Sequence, residues 1–305
     1  MISKRWAGGF ILTGLMGLIA GPTPGQSTVP RPVPPAGPES GSPHELPSNQ
    51  ESGVDIDRFV GRPGEAFTEV QEGLLTRSML RAGNPYALGP AGAVLEYRDD
   101  LALASLPPRG QSRVIQALPV RFYYVVAGTG RLDAGPDTPG HDLHTGVGML
   151  VAPKAKHRFL NTGDAPLDMI MLTWTDNEGL TVAQDIKVVD TDLIPYSPRR
   201  AHWVHSSKPM FGVADGVNIT LSAIMIPPLS YAGPHAHIKG VEEIWVKAGP
   251  GPGYALLGSE IRKFDGVGAF LSPPNGLTTH ASMNLNETSP QVWLYLSRRL
   301  PTVAK

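Results

Sequence analysis

The chain of 305 residues contains no cysteine. That excludes disulfide stapling, thiolate catalysis, cysteine-ligated zinc and a lipid-modified N-terminal cysteine, so stability must come from packed cores. An excess of charge is missing too: 26 Lys and Arg stand against 27 Asp and Glu, a formal net charge of −1. With that balance, and no basic stripe with interleaved aromatics, neither nucleic acid nor an anionic membrane is an expected partner. Long apolar runs are scarce. The exception is the N-terminus, where Lys4 and Arg5 precede a glycine-broken apolar stretch from Trp6 to Ala20. This is shorter than the roughly 20 apolar residues that a membrane helix needs. Residues 1–25 therefore read as a secretory signal cleaved near Gly25, with an uncleaved anchor as the alternative. In either case the body of the protein is expected outside the cytoplasm, secreted or periplasmic.

Glycine and proline are plentiful, at 35 and 31, and they fall in two settings. Residues 26–55 are Pro, Gly and Ser with little to bury, which predicts a disordered tether because burial cannot offset its ordering entropy. Elsewhere they punctuate short β-prone runs, the pattern of a barrel or sandwich. One set of runs is Val94–Arg98, Leu101–Leu106, Arg113–Leu118, Phe122–Ala127, Gly146–Val151, Arg158–Leu160 and Asp168–Trp174. A second is Val217–Ile226, Glu243–Lys247, Ala255–Leu257, Glu260–Phe264, Ala269–Ser272, Ala281–Asn284 and Val292–Ser297. Periodicity leaves Glu65–Leu80 open, as an amphipathic helix with Phe67, Val70 and Leu74 on one stripe or as a leading strand from Leu74. The polar stretch after Thr175 reads as a connector.

The sets look like two copies of one unit. Phe122-Tyr-Tyr-Val-Val-Ala-Gly-Thr-Gly130 aligns with Glu243-Ile-Trp-Val-Lys-Ala-Gly-Pro-Gly251, and Leu103–Pro108 echoes Ser222–Pro228. The domains expected are a barrel over 56–180, a connector over 181–210 and a second barrel over 211–305. The second copy carries the chemistry. His235 and His237 are two apart, so on a strand both point to one face. Glu242 follows across a short turn, and His280 returns from a distant strand. Three imidazoles and a carboxylate suit a divalent first-row metal with one or two positions left open. Glu243 is the substitute ligand should the register shift by one. In the first copy Val114, Gln116 and Arg121 stand at the ligand positions and only His157, with Asn161, remains. One metal is therefore expected, in the second barrel. His141 and His144 read as solvated.

The order Gly, His235-x-His237, Glu242, Gly249, then Gly268, Pro274, Gly276, His280, Asn284, resembles the two motifs of the cupin superfamily, G-x5-H-x-H-x(3,4)-E-x6-G and G-x5-P-x-G-x2-H-x3-N. Two departures stand out: Gly233 lies beside the histidines, and one extra residue precedes His280. The resemblance, a bicupin one, spans most of residues 70–300. It implies an all-β chain of two tandem small antiparallel barrels of the double-stranded β-helix, jelly-roll kind. It also implies a metal held by His235, His237, Glu242 and His280, with Mn or Fe ahead of Zn or Ni. Asn284 is expected to support His280, Tyr254 to line the pocket, and Glu242 to be the catalytic carboxylate. The reactions it brings are oxidative cleavage of phenols or enols, decarboxylation or oxidation of small acids, and sugar isomerisation. The expected partner is thus a small oxygen-rich substrate of a secreted dioxygenase or related oxidoreductase. A non-catalytic barrel holding a small ligand or metal is the alternative, and a homodimer stays open.

Overall fold

The computed structural model describes residues 55–84, 93–135, 139–199, 202–238 and 240–298. The signal expected over residues 1–25 and the tether expected over 26–55 lie outside them, save Asp55, which caps the 3-10 turn Ile56–Phe59. Lys239 also lies outside them. All the described residues fall within one unit, Pro43–Lys305. Among them there is no α-helix, only 3-10 turns and β-strands.

The strands form two large sheets, each faced by a smaller one. The first large sheet runs, in order, Ile186–Asp190, Val147–Val151, Val120–Ala127, Leu167–Trp174, Asp100–Leu106, Leu74–Ala82 and Glu69–Gln71, with Ala93–Leu95 added beside Leu74–Ala82. Its small partner is Arg158–Asn161, Gly130–Asp133 and His141–Leu143. The second large sheet runs Val60–Gly61, Gly268–Ser272, Glu243–Lys247, Gln291–Arg298, Ile219–Ile226, His202–Phe211 and Ser197–Arg199. Facing it are Ser230–Tyr231, His280–Asn284, Gly253–Leu257 and Glu260–Phe264.

Three cores follow from this layering. Inward side chains such as Tyr123, Val125, Met149 and Met169 fill the first sheet pair, while Trp245, Ala255, Phe270 and Trp293 fill the second. The third core lies between the large sheets and mixes both halves: Phe122, Leu150, Ile170 and Trp174 with Leu221, Ile244, Val246, Leu271 and Leu294. Strands of the large sheets are thus covered on both faces, which explains why Val120–Ala127 and Leu167–Trp174 read as continuous apolar runs rather than alternating ones. The first described strand, Val60–Gly61, pairs with Gly268–Ser272 of the second half. It passes so close to Leu74–Ala82 that a Cβ on Gly61 would lie 2.0 Å from the Met79 carbonyl oxygen.

Three sequence expectations change. Leu74–Ala82 is a strand, because pairing with Asp100–Leu106 captures what periodicity left undecided. Arg113–Leu118 is not a strand and contributes only an isolated bridge from Ile115 to His157. The 181–210 connector is built into the sheets, with Ile186–Asp190 on the edge of the first and His202–Phe211 in the second.

Because the middle core draws on both halves, they should unfold together. Phe122 is fully buried there, and Phe122→Ala should cost about 3–5 kcal/mol. Calorimetry should show one transition moved to lower temperature; two separated transitions, only one of them shifted, would contradict the shared core.

Candidate metal centre

His235, His237, Glu243 and His280 converge, with one ligand-capable atom from each lying within 4.8 Å of every other. The histidine ring centroids are 4.8, 4.5 and 5.2 Å apart. His235 and His280 face each other through a two-way backbone bridge, with N···O distances of 3.2 and 2.9 Å. His235 Nδ1 lies 2.9 Å from the Gly233 carbonyl oxygen, so it carries the proton and leaves Nε2 as a lone-pair donor. His280 Nδ1 is 2.9 Å from Ser272 Oγ, and its Nε2 is 2.8 Å from Glu243 Oε1. Trp245 Nε1 donates to that same oxygen at 2.6 Å.

One pair within the cluster stands out. His237 Nε2 and Glu243 Oε2 lie 2.7 Å apart, yet neither buried atom makes a directional hydrogen bond. Two close, unsatisfied ligand atoms are costly unless something shared satisfies both. Burial pushes the Glu243 carboxyl up, but the adjacent His237 and His280 imidazoles win and hold it well below the usual range. Burial lowers the His235 imidazole, keeping it neutral. Three imidazoles and one carboxylate are a donor set that fits a divalent first-row ion. His237 remains 25% exposed at its side chain, against 1% for Glu243 and His280, so the cluster is approached from its side.

The structure does not bring Glu242 to the histidines, and Glu243 stands in its place. Strand parity is the reason. Ile244 and Val246 must enter the core between the large sheets, so Glu243, Trp245 and Lys247 face the barrel interior and Glu242 faces away. Glu242 Oε2 instead accepts the backbone N–H groups of Glu96 and Tyr97, both at 3.0 Å. Its Oε1 lies 3.5 Å from Arg98 Nε, and both side chains are buried. Burial raises the Glu242 carboxyl, opposed by Arg98 and those two N–H groups. Arg98 also sits 5.3 Å over the Trp174 ring. Glu242 is therefore a clasp between the two halves. Its clue in the sequence was the aliphatic pair Ile244 and Val246.

Two other expectations move. Asn284 does not support His280: its Nδ2 donates to the carbonyls of Ile226, Pro227 and Ser289 at 3.0, 3.1 and 2.9 Å, pinning loops. Ser272 holds the imidazole instead. Tyr254 lies with Leu256 on the opposite face from Ala255 and Leu257, which fill the barrel. Ser272 and Trp245 were missed as supporting residues, since only cross-strand register brings them to the cluster.

The first half repeats the frame without the ligands. His157 bridges Ile115 as His280 bridges His235. Asn161 donates to Leu106, Pro107 and Ala165 much as Asn284 does to its three carbonyls. The repeat register is thus one residue off the sequence alignment: Ile115 matches His235, whereas Val114 is 62% exposed. Arg121 stands at the position of Glu243, reaching Glu72 and Tyr123. His157 Nε2 lies 3.3 Å from Tyr123 Oη, and its Nδ1 3.1 Å from the Ala155 carbonyl oxygen. His144, expected to be solvated, lies 3.2 Å from Asp190.

Jelly-roll barrels in tandem, with a histidine cluster inside one, define this class: the chain has the cupin fold in its two-barrel, bicupin-like form. No protein-family model matches the chain, and no curated protein matches it. Solved structures do. The protein Ylba from E. coli shares 12% identity over 83% of this chain and 95% of its own, with a TM-score of 0.60. The Lactobacillus farciminis oxalate decarboxylase, solved as a formate complex, shares 11% over 80% and 87% with a TM-score of 0.56. Vicilin from Corylus avellana (hazelnut) shares 10% over 79% and 85% with a TM-score of 0.59. Identities this low establish the fold alone.

Burial lowers the His157 imidazole to about 4, with Arg121 adding to the effect and the Ala155 carbonyl opposing it. The unfolded chain therefore binds the proton first on acidification. The stabilising contribution is whole above the ordinary value of about 6.5 and lost as pH falls toward 4, by about 3 kcal/mol. Denaturant titrations near neutral pH and near pH 4 should show the wild type losing about that much more than His157→Gln. Equal losses in both proteins would contradict a buried neutral imidazole.

Proposed function

We propose that the second barrel is a metal centre held by His235, His237, Glu243 and His280, with Mn or Fe as its first candidates. The observation that carries this is the unbonded pair His237 Nε2 and Glu243 Oε2 at 2.7 Å inside a cluster of three imidazoles. On that site we place a secreted or periplasmic enzyme acting on a small oxygen-rich molecule, of the dioxygenase or oxidoreductase kind. When bound, such an ion supplies Lewis acidity and, for Mn or Fe, an electron path to dioxygen.

The chain's own residues set the conditions. The Gly233 carbonyl fixes the tautomer of His235, and Ser272 holds the His280 ring in place. Trp245 holds one Glu243 oxygen and leaves the other directed at His237. The His237 side is open to solvent, which gives a ligand its way in. Glu243 is the one carboxylate of the described cluster and is placed as a ligand. The oxalate decarboxylases among the structural neighbours lend weight to a small organic acid as substrate.

The test is turnover of the full chain loaded with Mn(II) or Fe(II), assayed for dioxygen uptake and carbon dioxide release with oxalate, catechol and an ene-diol. Metal-dependent turnover that vanishes in Glu243→Gln is expected. Tight metal binding with no turnover of any of the three would instead favour a barrel that only holds a ligand or an ion.

A further inference from the structure

The first barrel lacks the ligands but not a polar interior. Arg121, in place of Glu243, is nine-tenths buried at 9% exposure. Its Nη1 is taken by Glu72 and by Tyr123 Oη at 3.2 Å. Glu72 is delivered by a two-residue turn, Glu72-Gly73, with both φ positive at 55° and 85°, the geometry a tight hairpin prefers. Arg121 Nε, however, is buried with no partner.

Cross-strand register sets what faces it. Arg121 pairs with Thr173, and Thr173 pairs with Asp100, so the three form one row across adjacent strands. Asp100 Oδ1 is likewise buried without a directional partner; burial raises its carboxyl, opposed by Ser78 and Arg81. Between these groups opens a cavity of about 380 Å³, lined also by Ser78, Arg81 and Met171. That volume is within the range of small-molecule sites.

Two constraints choose the ligand. It must accept from the Arg121 Nε–H and donate to Asp100 Oδ1, and hydroxyl groups do both. It must also be uncharged overall. The cations Arg81 and Arg121 are already engaged by Glu69, at 3.7 Å, and by Glu72. The lining adds Asp99 and Asp100, so an anion would meet net negative charge.

We infer that the first barrel binds a neutral polyhydroxylated molecule of monosaccharide size, held between Arg121 and Asp100. This site is separate from the histidine cluster and does not depend on a metal. The ligand's ring hydroxyls span the row, with Met171 giving its apolar face a surface.

The experiment is saturation-transfer NMR and calorimetric titration of the full chain with D-glucose, D-galactose, D-mannose, D-xylose and myo-inositol, with D-glucuronate as the charged counterpart. At least one neutral compound should bind, and more tightly than glucuronate. Its affinity should fall about tenfold in Asp100→Asn and in Arg121→Met, as losing a hydrogen bond to a charged group predicts, and should be unchanged in Glu243→Gln. Should Arg121→Met fail to fold, Ser78→Leu, which fills the cavity from its half-buried rim, replaces it with the same expected loss. No binding by any neutral member of the panel, binding that survives the first-barrel variants, or preference for glucuronate would each overturn the inference.

Discussion

The alternation of one strand decides the chemistry of this protein. Along Glu243–Lys247, Ile244 and Val246 are committed to the apolar core that joins the two large sheets. Neighbouring side chains on a strand point to opposite faces, so that commitment sends Glu243 and Trp245 into the barrel. Glu242 is sent toward Glu96, Tyr97 and Arg98. A slip of one residue would bury a carboxylate in the core and expel two aliphatic side chains, which costs far more than any ligand preference. Hydrophobic packing thus selects which carboxylate joins the histidines, and the neighbouring one becomes the tie between the halves.

That tie is a different kind of interaction from the cluster beside it. Glu242 Oε2 accepts two backbone N–H groups, while its Oε1 faces the buried Arg98 guanidinium at 3.5 Å, a distance of attraction rather than a hydrogen bond. Buried pairs of this sort add little net stability but are costly to break, so they enforce one arrangement. In the Glu243 cluster the close pair is an imidazole and a carboxylate, His237 Nε2 and Glu243 Oε2, at 2.7 Å. Adjacent residues therefore serve register and chemistry separately.

Much was legible in the sequence. Glycine and proline punctuation gave the all-β class, the repeat gave two barrels, and the spacing of His235, His237 and His280 gave three members of the cluster. What was not legible depends on contacts between distant segments. Motif spacing pointed to Glu242 because it cannot weigh what lies behind the strand. Asn284 looked like support for His280, yet Asn161 makes the same loop contacts in a barrel without a metal set, so the asparagine serves the frame. Ser272, the actual support, reaches His280 only through folding. In the first barrel the alignment slipped by one residue because Arg113–Leu118 is β-prone but mostly unpaired, and only the Ile115–His157 bridge fixes its position.

The two barrels show one frame put to two uses. A histidine on the same bridge faces Glu243 in one half, while its counterpart meets Tyr123 in the other, whose hydroxyl burial pushes up to about 12. Where Glu243 stands among three imidazoles in one half, Arg121 stands beside Glu72 and Tyr123 in the other. The most direct test of the account is the metal content of the full chain carrying Glu242→Gln or Glu243→Gln, measured beside the wild type after loading and dialysis. The account predicts about one first-row ion per chain in the wild type and in Glu242→Gln, and loss of the ion in Glu243→Gln. Loss in Glu242→Gln with retention in Glu243→Gln would contradict it.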